Sequence, residues 1–77
     1  MDRRKRILEI IRDVSKRSDA PAPGESLFES GLLDSFALPD LVTALEEAFS
    51  VKIPDADLIP RKFDTVERIE SYIEGRK

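Results

Sequence analysis

Apolar residues recur along the first segment of this chain at the spacing of an α-helix. The segment covers about residues 2–17, and its apolar positions follow the pattern i, i+1, i+3, i+4 and i+7. These positions are Ile7, Leu8, Ile10, Ile11 and Val14. Because they form one stripe on a helical surface, we predict a first helix here, with Asp2 as its N-cap.

A second helical pattern covers about residues 35–50. Its apolar stripe consists of Leu41, Val42, Leu45, Ala48 and Phe49. Pro39 lies near the start, where the first N–H groups of a helix have no partner inside the helix. A proline is tolerated at such a position, but deeper in a helix it clashes with the preceding turn. We therefore predict a distorted or tightened first turn.

A last helix is predicted over about residues 65–74. Its apolar face is formed by Val66, Ile69, Tyr72 and Ile73. Asp64 is its predicted cap, with Glu67 three residues later as in a capping box, and Gly75 is its predicted end. Residues 55–60 lie between two prolines and have room only for a short turn or helix.

The remaining segment, residues 18–34, is predicted to be a long loop because it contains two prolines and a glycine in its first half. Its four large apolar residues, which we expect to pin it onto the core, are Leu27, Phe28, Leu32 and Leu33. A connection of this length in a small domain is usually functional. The whole pattern predicts one all-α domain, residues 1–77, built as an up-down bundle of three main helices with a possible short fourth.

Charge is distributed unevenly along the chain. Residues 1–17 carry seven Lys/Arg and three Asp/Glu, whereas residues 25–60 carry eight acids and a single base, Lys52. Nucleic-acid binders need clustered cations, so this acidic region disfavours that class. The run from Arg3 to Arg6 is interpreted as the solvated face of the first helix rather than a nucleic-acid patch. The acidic region should instead steer toward basic patches on partner proteins.

The composition also limits the chemistry of the chain. It contains no histidine and no cysteine, so the usual nucleophilic triads and thiolate metal sites are unavailable. The acid pairs Glu46-Glu47 and Asp55/Asp57 lack an EF-hand spacing and are interpreted as solvated carboxylates, with no metal bound. No apolar run approaches the roughly 20 residues that span a bilayer, and no secretory signal is visible. We expect no catalytic activity from the chain alone.

The pair Asp34-Ser35 supports two interpretations. Both residue types are favoured N-caps, so the pair can simply begin the second helix. Alternatively, the Ser35 hydroxyl can be esterified by a phosphate donor that another enzyme brings. A phosphodiester at this position would lie where helix N–H groups and the helix dipole favour negative charge.

Several stretches together resemble an acyl carrier protein. They are the stretch from Gly31 to Phe36, the helix end Leu45-Glu46-Glu47-Ala48-Phe49, the exit Ile53-Pro54 and the opening Thr65-Val66. The resemblance implies an acyl-carrier-like bundle with 4′-phosphopantetheine, taken from coenzyme A, attached to Ser35 by a Mg²⁺-dependent phosphopantetheinyl transferase. The cargo would then be held as a thioester on the cofactor, which explains how a cysteine-free chain does thiol chemistry.

The resemblance also implies roles for individual residues. Asp34 belongs to the recognition motif, and the implied partner-binding residues are Phe36, Asp40, Glu46 and Glu47. Partners would be an acyl- or aminoacyl-loading ligase or synthase and acceptor enzymes with basic docking patches. The resemblance further implies a cytoplasmic, free-standing and monomeric protein without a transmembrane segment. An aspartate rather than a histidine before the serine makes peptidyl carrier domains a poorer match.

Two departures from fatty-acid carriers bear on the cargo and the partners. Pro39 is unusual within the recognition helix, and the segment from Pro54 to Thr65 is longer than in fatty-acid carriers. That longer segment, with the serine motif, is similar to D-alanyl carrier proteins, which keeps aminoacyl cargo open beside acyl cargo of fatty acid or polyketide synthesis. If the cargo is an acyl chain, its wall residues are expected to be Leu41, Val42, Leu45 and Ile59, which otherwise are core. The alternative of another class is an unmodified helical interaction domain.

Overall fold

The computed structural model describes residues 3–18 and 20–76, and the fold over these residues is all-helical, with no strand. This confirms the predicted fold class. The three α-helices are α1 (Arg3–Ser15), α2 (Leu38–Phe49) and α3 (Val66–Arg76). Short 3₁₀ turns occupy Ser35–Ala37, Asp55–Asp57 and Pro60–Phe63. Helix α1 packs against both α2 and α3, and none of the helices in the described residues is long and apolar enough to cross a membrane.

The core forms where the apolar stripes of the three helices meet. Its fully buried side chains with the largest volumes are Phe63, Ile7, Ile11, Leu27, Leu41, Leu45, Ile69, Ile73 and Val66. All but two of these, Leu27 and Phe63, lie on α-helices at the predicted spacing. Burying this apolar surface is the main term that stabilises so small a domain.

Helix α1 ends at Ser15, two residues before the predicted end, because Lys16 adopts a left-handed conformation with φ 60°. The predicted cap, Asp2, lies outside the described residues. The basic run at the start of α1 is partly used inside the fold. Arg4 donates to the Glu70 carboxylate at 2.6 Å, and Arg3 pairs with Glu74 at 3.4 Å. These ion pairs join α1 to α3.

The first turn of the second helix is tightened, as Pro39 predicts. The 3₁₀ turn Ser35–Ala37 comes first and the α-helix begins at Leu38, so the helical segment starts near the predicted residue 35 and its first turn is the tightened one. Pro39 is then at the beginning of α2, where its missing N–H leaves no helical bond unmade. The helix ends at Phe49, because Ser50 is left-handed with φ 53°.

The start of α3 differs from the prediction. Thr65, not Asp64, is the cap: its Oγ1 accepts the N–H of Arg68 at 3.0 Å. Asp64 is drawn to the long loop instead, where its carboxylate accepts the Ser26 hydroxyl at 2.7 Å. The predicted end at Gly75 was also wrong, since α3 continues to Arg76. A glycine can occupy a helix interior at a cost of about 1 kcal/mol relative to alanine.

The predicted short element at residues 55–60 becomes two 3₁₀ turns that are fastened to α3. The Tyr72 hydroxyl donates to Asp57 Oδ2 at 2.5 Å, and Lys62 Nζ donates to Asp57 Oδ1 at 2.8 Å. The Tyr72 ring also packs against the buried Phe63 ring, with a centroid distance of 5.0 Å. Burial of the phenol and its bond to Asp57 raise the pKa of Tyr72 to about 12.

This arrangement predicts an unusual tyrosine titration. Tyr72 is the only tyrosine and there is no tryptophan, so phenolate absorbance reports on Tyr72 alone. We expect a midpoint near pH 12 in the wild type and a lower midpoint in Asp57→Asn. The pKa of Tyr72 is higher in the folded chain than in the unfolded chain. The contribution of the protonated phenol to the free energy of unfolding is therefore fully present below about pH 10 and is lost as the pH rises to about 12.

Asp55→Asn is the matched control for this titration, because Asp55 is an exposed acid of the same turn. It should leave the midpoint unchanged. Circular dichroism recorded at each pH shows whether the chain is still folded when the phenol ionises. A wild-type midpoint near pH 10 in the folded chain would contradict the Tyr72–Asp57 bond.

Candidate cofactor-attachment site

Ser35 is an exposed residue at the head of the 3₁₀ turn Ser35–Ala37. The residue before it, Asp34, has extended dihedrals (φ −115°, ψ 174°), and its Oδ1 accepts the N–H of Ala37 at 3.0 Å. Asp34 is therefore the cap of this turn. Within the described part of the chain, the Ser35 hydroxyl makes no hydrogen bond. Asp34 thus stabilises the backbone of the turn, and Ser35 has an exposed hydroxyl without a hydrogen-bond partner within the described residues.

The loop before Ser35 is anchored to the residues that precede α3. The Leu27 N–H donates to the Asp64 carbonyl at 2.6 Å, and the Phe28 N–H donates to the Asp64 carboxylate at 3.4 Å. Further along, the Leu33 N–H donates to the Leu27 carbonyl at 2.9 Å. Leu27 is fully buried and Leu33 is 3% exposed. These contacts hold the loop against the core immediately before the serine.

Gly31 turns the chain between two anchored points of the loop, Leu27 and Leu33. Its φ is +84°, a left-handed conformation that side-chain-bearing residues rarely adopt. A Cβ built at Gly31 would have no heavy atom within 4 Å. The need for glycine at this position therefore comes from the backbone conformation and not from crowding.

Phe36, next to Ser35, is the most exposed large apolar side chain among the described residues, with 88% of its surface accessible. A phenylalanine in this position adds nothing to the packing of the core. A single exposed apolar side chain is common on protein surfaces, so the exposure of Phe36 does not by itself identify a contact surface. Phe36 lies next to the candidate attachment residue, and the partner-binding role that the resemblance implies for it stays a prediction.

The three acidic residues predicted on the partner surface differ in their surroundings. Asp40 and Glu47 are exposed on α2. Glu46 is half-buried, and its Oε2 accepts the N–H of Ile53 at 2.8 Å, which ties the end of α2 to the exit of the helix. Glu46 thus has a bond within the chain that sequence spacing did not indicate, whereas the other two carboxylates face solvent.

The four predicted wall residues are not brought together around a cavity. Leu41 and Leu45 are fully buried and Val42 is 5% exposed, so these three belong to the core. Val42 also borders an open groove of about 490 Å³ beside residues 51–58. Ile59 is 38% exposed and lines a different groove against α3.

The chemistry of the site suits modification by another enzyme. The residues fit an ester-linked phosphate, because the serine is exposed and its hydroxyl is not engaged elsewhere. The chain has no histidine or cysteine to act as the base that would activate the serine. Across residues 3–18 and 20–76, no three potential metal ligands lie together. Sequence reasoning missed the anchoring role of Asp64, since its partner Ser26 lies 38 positions away and no local signal links them.

Comparison with known proteins shows the family to which this chain belongs. The family described as phosphopantetheine attachment site matches residues 5–73. A D-alanyl carrier protein of Lactobacillus acidophilus is 27% identical over 75 residues, which cover 97% of this chain and 95% of that protein. A D-alanyl carrier protein of Streptococcus suis is 30% identical over 73 residues, or 95% and 92% of the two chains. An acyl carrier protein of Helicobacter hepaticus is 34% identical over 68 residues, or 88% and 87%.

Proposed function

Because the chain belongs to the phosphopantetheine-attachment family of carrier proteins, we propose that Ser35 is the residue that carries its 4′-phosphopantetheine. When bound, this cofactor supplies the thiol on which cargo is held as a thioester. The chain itself has no cysteine and so has no thiol of its own. In this proposal the chain carries the cargo on its cofactor and presents it to other enzymes. Those enzymes catalyse the loading, transfer and acceptance of the cargo.

The observation that supports Ser35 most strongly is the division of roles between two neighbouring residues. Asp34 satisfies the turn with its carboxylate, at 3.0 Å from the Ala37 nitrogen. The Ser35 hydroxyl is left exposed and without a hydrogen bond in the described part of the chain. A serine that capped the helix itself would have its oxygen occupied by a backbone N–H.

The test is transfer of the cofactor to the purified chain. Incubation with coenzyme A, Mg²⁺ and a broad-specificity phosphopantetheinyl transferase should add the mass of one phosphopantetheine. Trypsin cuts after Arg17 and Lys52, with no lysine or arginine between, so the modified peptide is residues 18–52. Fragmentation of that peptide should locate the added mass at Ser35. A gain at another serine of the peptide, or no gain, would refute the assignment.

The cargo is proposed to be an aminoacyl group, with D-alanine as the first candidate. Two of the relatives compared above are D-alanyl carrier proteins, and each covers more than nine-tenths of this chain. An acyl carrier protein is also similar, so an acyl cargo is the second candidate. The phosphopantetheine-bearing chain should be offered to a D-alanine-adenylating ligase with ATP and, separately, to an acyl-loading ligase. Mass analysis of the thioester then decides between the two.

Phe36 is proposed to be the apolar contact for these partner enzymes, with Asp40 and Glu47 as its charged surroundings. We expect Phe36→Ala to lower the loading efficiency about 5- to 30-fold, since truncating an interface anchor typically costs about 1–2 kcal/mol. The measurement is the initial rate of thioester formation at limiting ligase. Arg12→Ala, at an exposed position of α1 outside this surface, is the control and should load normally.

A loss of loading with both variants would point to a general disturbance of the fold rather than a contact at Phe36. Equal loading of Phe36→Ala and the wild type would remove Phe36 from the partner surface. Neither result bears on Ser35, because attachment is measured separately by mass.

The chain is proposed to have no catalytic activity of its own and to work in the cytoplasm as a monomer. The lack of histidine and cysteine supports the first point. The cytoplasm is a reducing compartment and would keep the thiol of the attached cofactor reduced, which supports the proposed location. Thioester formation in the absence of any added ligase would contradict the first point.

A further inference from the structure

A second surface of the fold combines an apolar floor with a cationic rim. It is an open groove of about 840 Å³ between α3 and the 3₁₀ turn Pro60–Phe63. The floor is formed by Ile59, which is 38% exposed, and by the half-buried ring of Tyr72. The groove shares no lining residue with the turn of Ser35 or with α2. We call it the basic groove, for the charges described next.

The charge of the basic groove is opposite to that of the surface around Ser35. Its lining includes three bases, Arg61, Lys62 and Arg68, and one acid, Glu67. By contrast, residues 25–60 carry eight acids and one base. The sequence offers a partial signal for this feature, the adjacent pair Arg61-Lys62 after a long acidic segment. The folded chain adds Arg68 from the first turns of α3.

The two arginines have charge available for a partner. The Arg68 Nη1 donates to the Arg61 carbonyl at 2.8 Å, which holds that guanidinium beside the turn Pro60–Phe63. The side chain of Arg61 makes no hydrogen bond or ion pair within the described residues and is exposed. Lys62, in contrast, is paired with Asp57 at 2.8 Å, so its charge is partly compensated. The groove thus has two guanidinium groups and one partly neutralised ammonium.

We infer that the basic groove docks an acidic segment of a partner protein, with an apolar side chain on Ile59 and Tyr72 and carboxylates against Arg61 and Arg68. Guanidinium groups bind carboxylates through paired hydrogen bonds, and interfaces commonly surround an apolar centre with a charged rim. A single phosphate would leave the apolar surfaces of Ile59 and Tyr72 uncovered, whereas a peptide segment can cover them and also reach the arginines. This surface is separate from the one proposed around Ser35, so its role does not depend on cofactor attachment.

The test uses the full chain, labelled with ¹⁵N, and a defined probe. The probe is a synthetic peptide with several glutamates around one phenylalanine; the matched peptide has glutamine in place of glutamate. We expect the acidic peptide to shift the amide signals of Arg61, Arg68 and Ser71. Its Kd should rise about fivefold in Arg61→Glu, because surface ion pairs are individually weak, and stay within about twofold in Arg12→Glu. Arg12 is an exposed arginine of α1, outside the groove.

Four outcomes would overturn the inference. The first two are shifts on another face of the chain and equal effects of Arg61→Glu and Arg12→Glu. In the third, groove signals that move on concentrating the chain without peptide would assign the groove to a second copy. In the fourth, inorganic phosphate at the concentration used for the peptide would cause the same shifts, and the basic groove would then be a site for a simple anion. Signals of buried core residues such as Ile69, unchanged between the variants, show that each remains folded.

Discussion

Ser35→Ala is expected to abolish the mass gain that the wild type shows with coenzyme A, Mg²⁺ and phosphopantetheinyl transferase. The alanine has no hydroxyl on which to form the phosphoester, so the expected loss is complete rather than partial. Intact-protein mass spectrometry after prolonged incubation measures it directly. Thioester loading of the variant by any ligase should then also be absent, since no thiol remains in a chain without cysteine.

Two comparisons separate this result from a structural effect. Ser71→Ala alters another exposed serine, on α3, and should accept the cofactor as the wild type does. In urea unfolding, Ser35→Ala should change the free energy by less than about 0.5 kcal/mol, because its hydroxyl is exposed and unbonded. Asp34→Ala should cost about 0.5–2 kcal/mol, since it removes the cap. A destabilised Ser35→Ala, together with a wild type that gains no mass, would support the unmodified interaction domain instead.

Leu27→Ala is expected to cause the largest loss of stability among the loop variants. Leu27 is fully buried, and its backbone joins the loop to the segment before α3. Truncating a buried leucine costs about 2–5 kcal/mol. A domain of this size has a total stability of about 4–12 kcal/mol. The variant should therefore lose a large part of its stability, with its unfolding midpoint displaced to a lower urea concentration, as measured by urea titration with far-UV circular dichroism.

Phe36→Ala provides the comparison for Leu27→Ala, because it removes a larger side chain from the protein surface. With 88% of Phe36 exposed, its truncation should change the unfolding free energy by no more than about 0.5 kcal/mol. If the two variants lost equal stability, Leu27 could not be the pin that holds the loop. A Leu27→Ala variant as stable as the wild type would also show that Leu27 does not hold the loop on the core.

The helices were predictable from the sequence because apolar periodicity is a local property. Ile7, Leu41 and Ile69 lie on stripes spaced three, four and seven residues apart, and each is fully buried. Residues that end a helix were harder to predict. Asp64 and Thr65 are both favoured caps, and only the distant hydroxyl of Ser26 decides that Asp64 turns toward the loop.

The candidate site was predictable to a similar extent. A serine after an aspartate at a helix start, with Phe36 beside it, is visible in the sequence, and so is the family it resembles. The sequence could not say which of Asp34 and Ser35 caps the turn, since both are capable of it. It also gave no sign that Glu46 would bond to Ile53, or that Asp57 would meet Tyr72, because these contacts join segments whose relative position only the fold sets.

The tightened turn in front of Pro39 has a consequence for how the chain moves. Ser35–Ala37 is held by the Asp34 cap and by the N–H of Leu38, which donates to the Ser35 carbonyl. Neither Ser35 nor Phe36 is buried, and Pro39 has no amide hydrogen to bind it to the turn. We therefore expect the turn to open and close without unfolding α2, whose Leu41 and Leu45 are buried in the core. In hydrogen-exchange terms, the amides of Ala37 and Leu38 should exchange through local fluctuations, while an amide in the interior of α2, such as that of Leu45, waits for global unfolding. A serine on such a segment can adapt its backbone to the active sites of different enzymes, while the bundle that displays it stays unchanged.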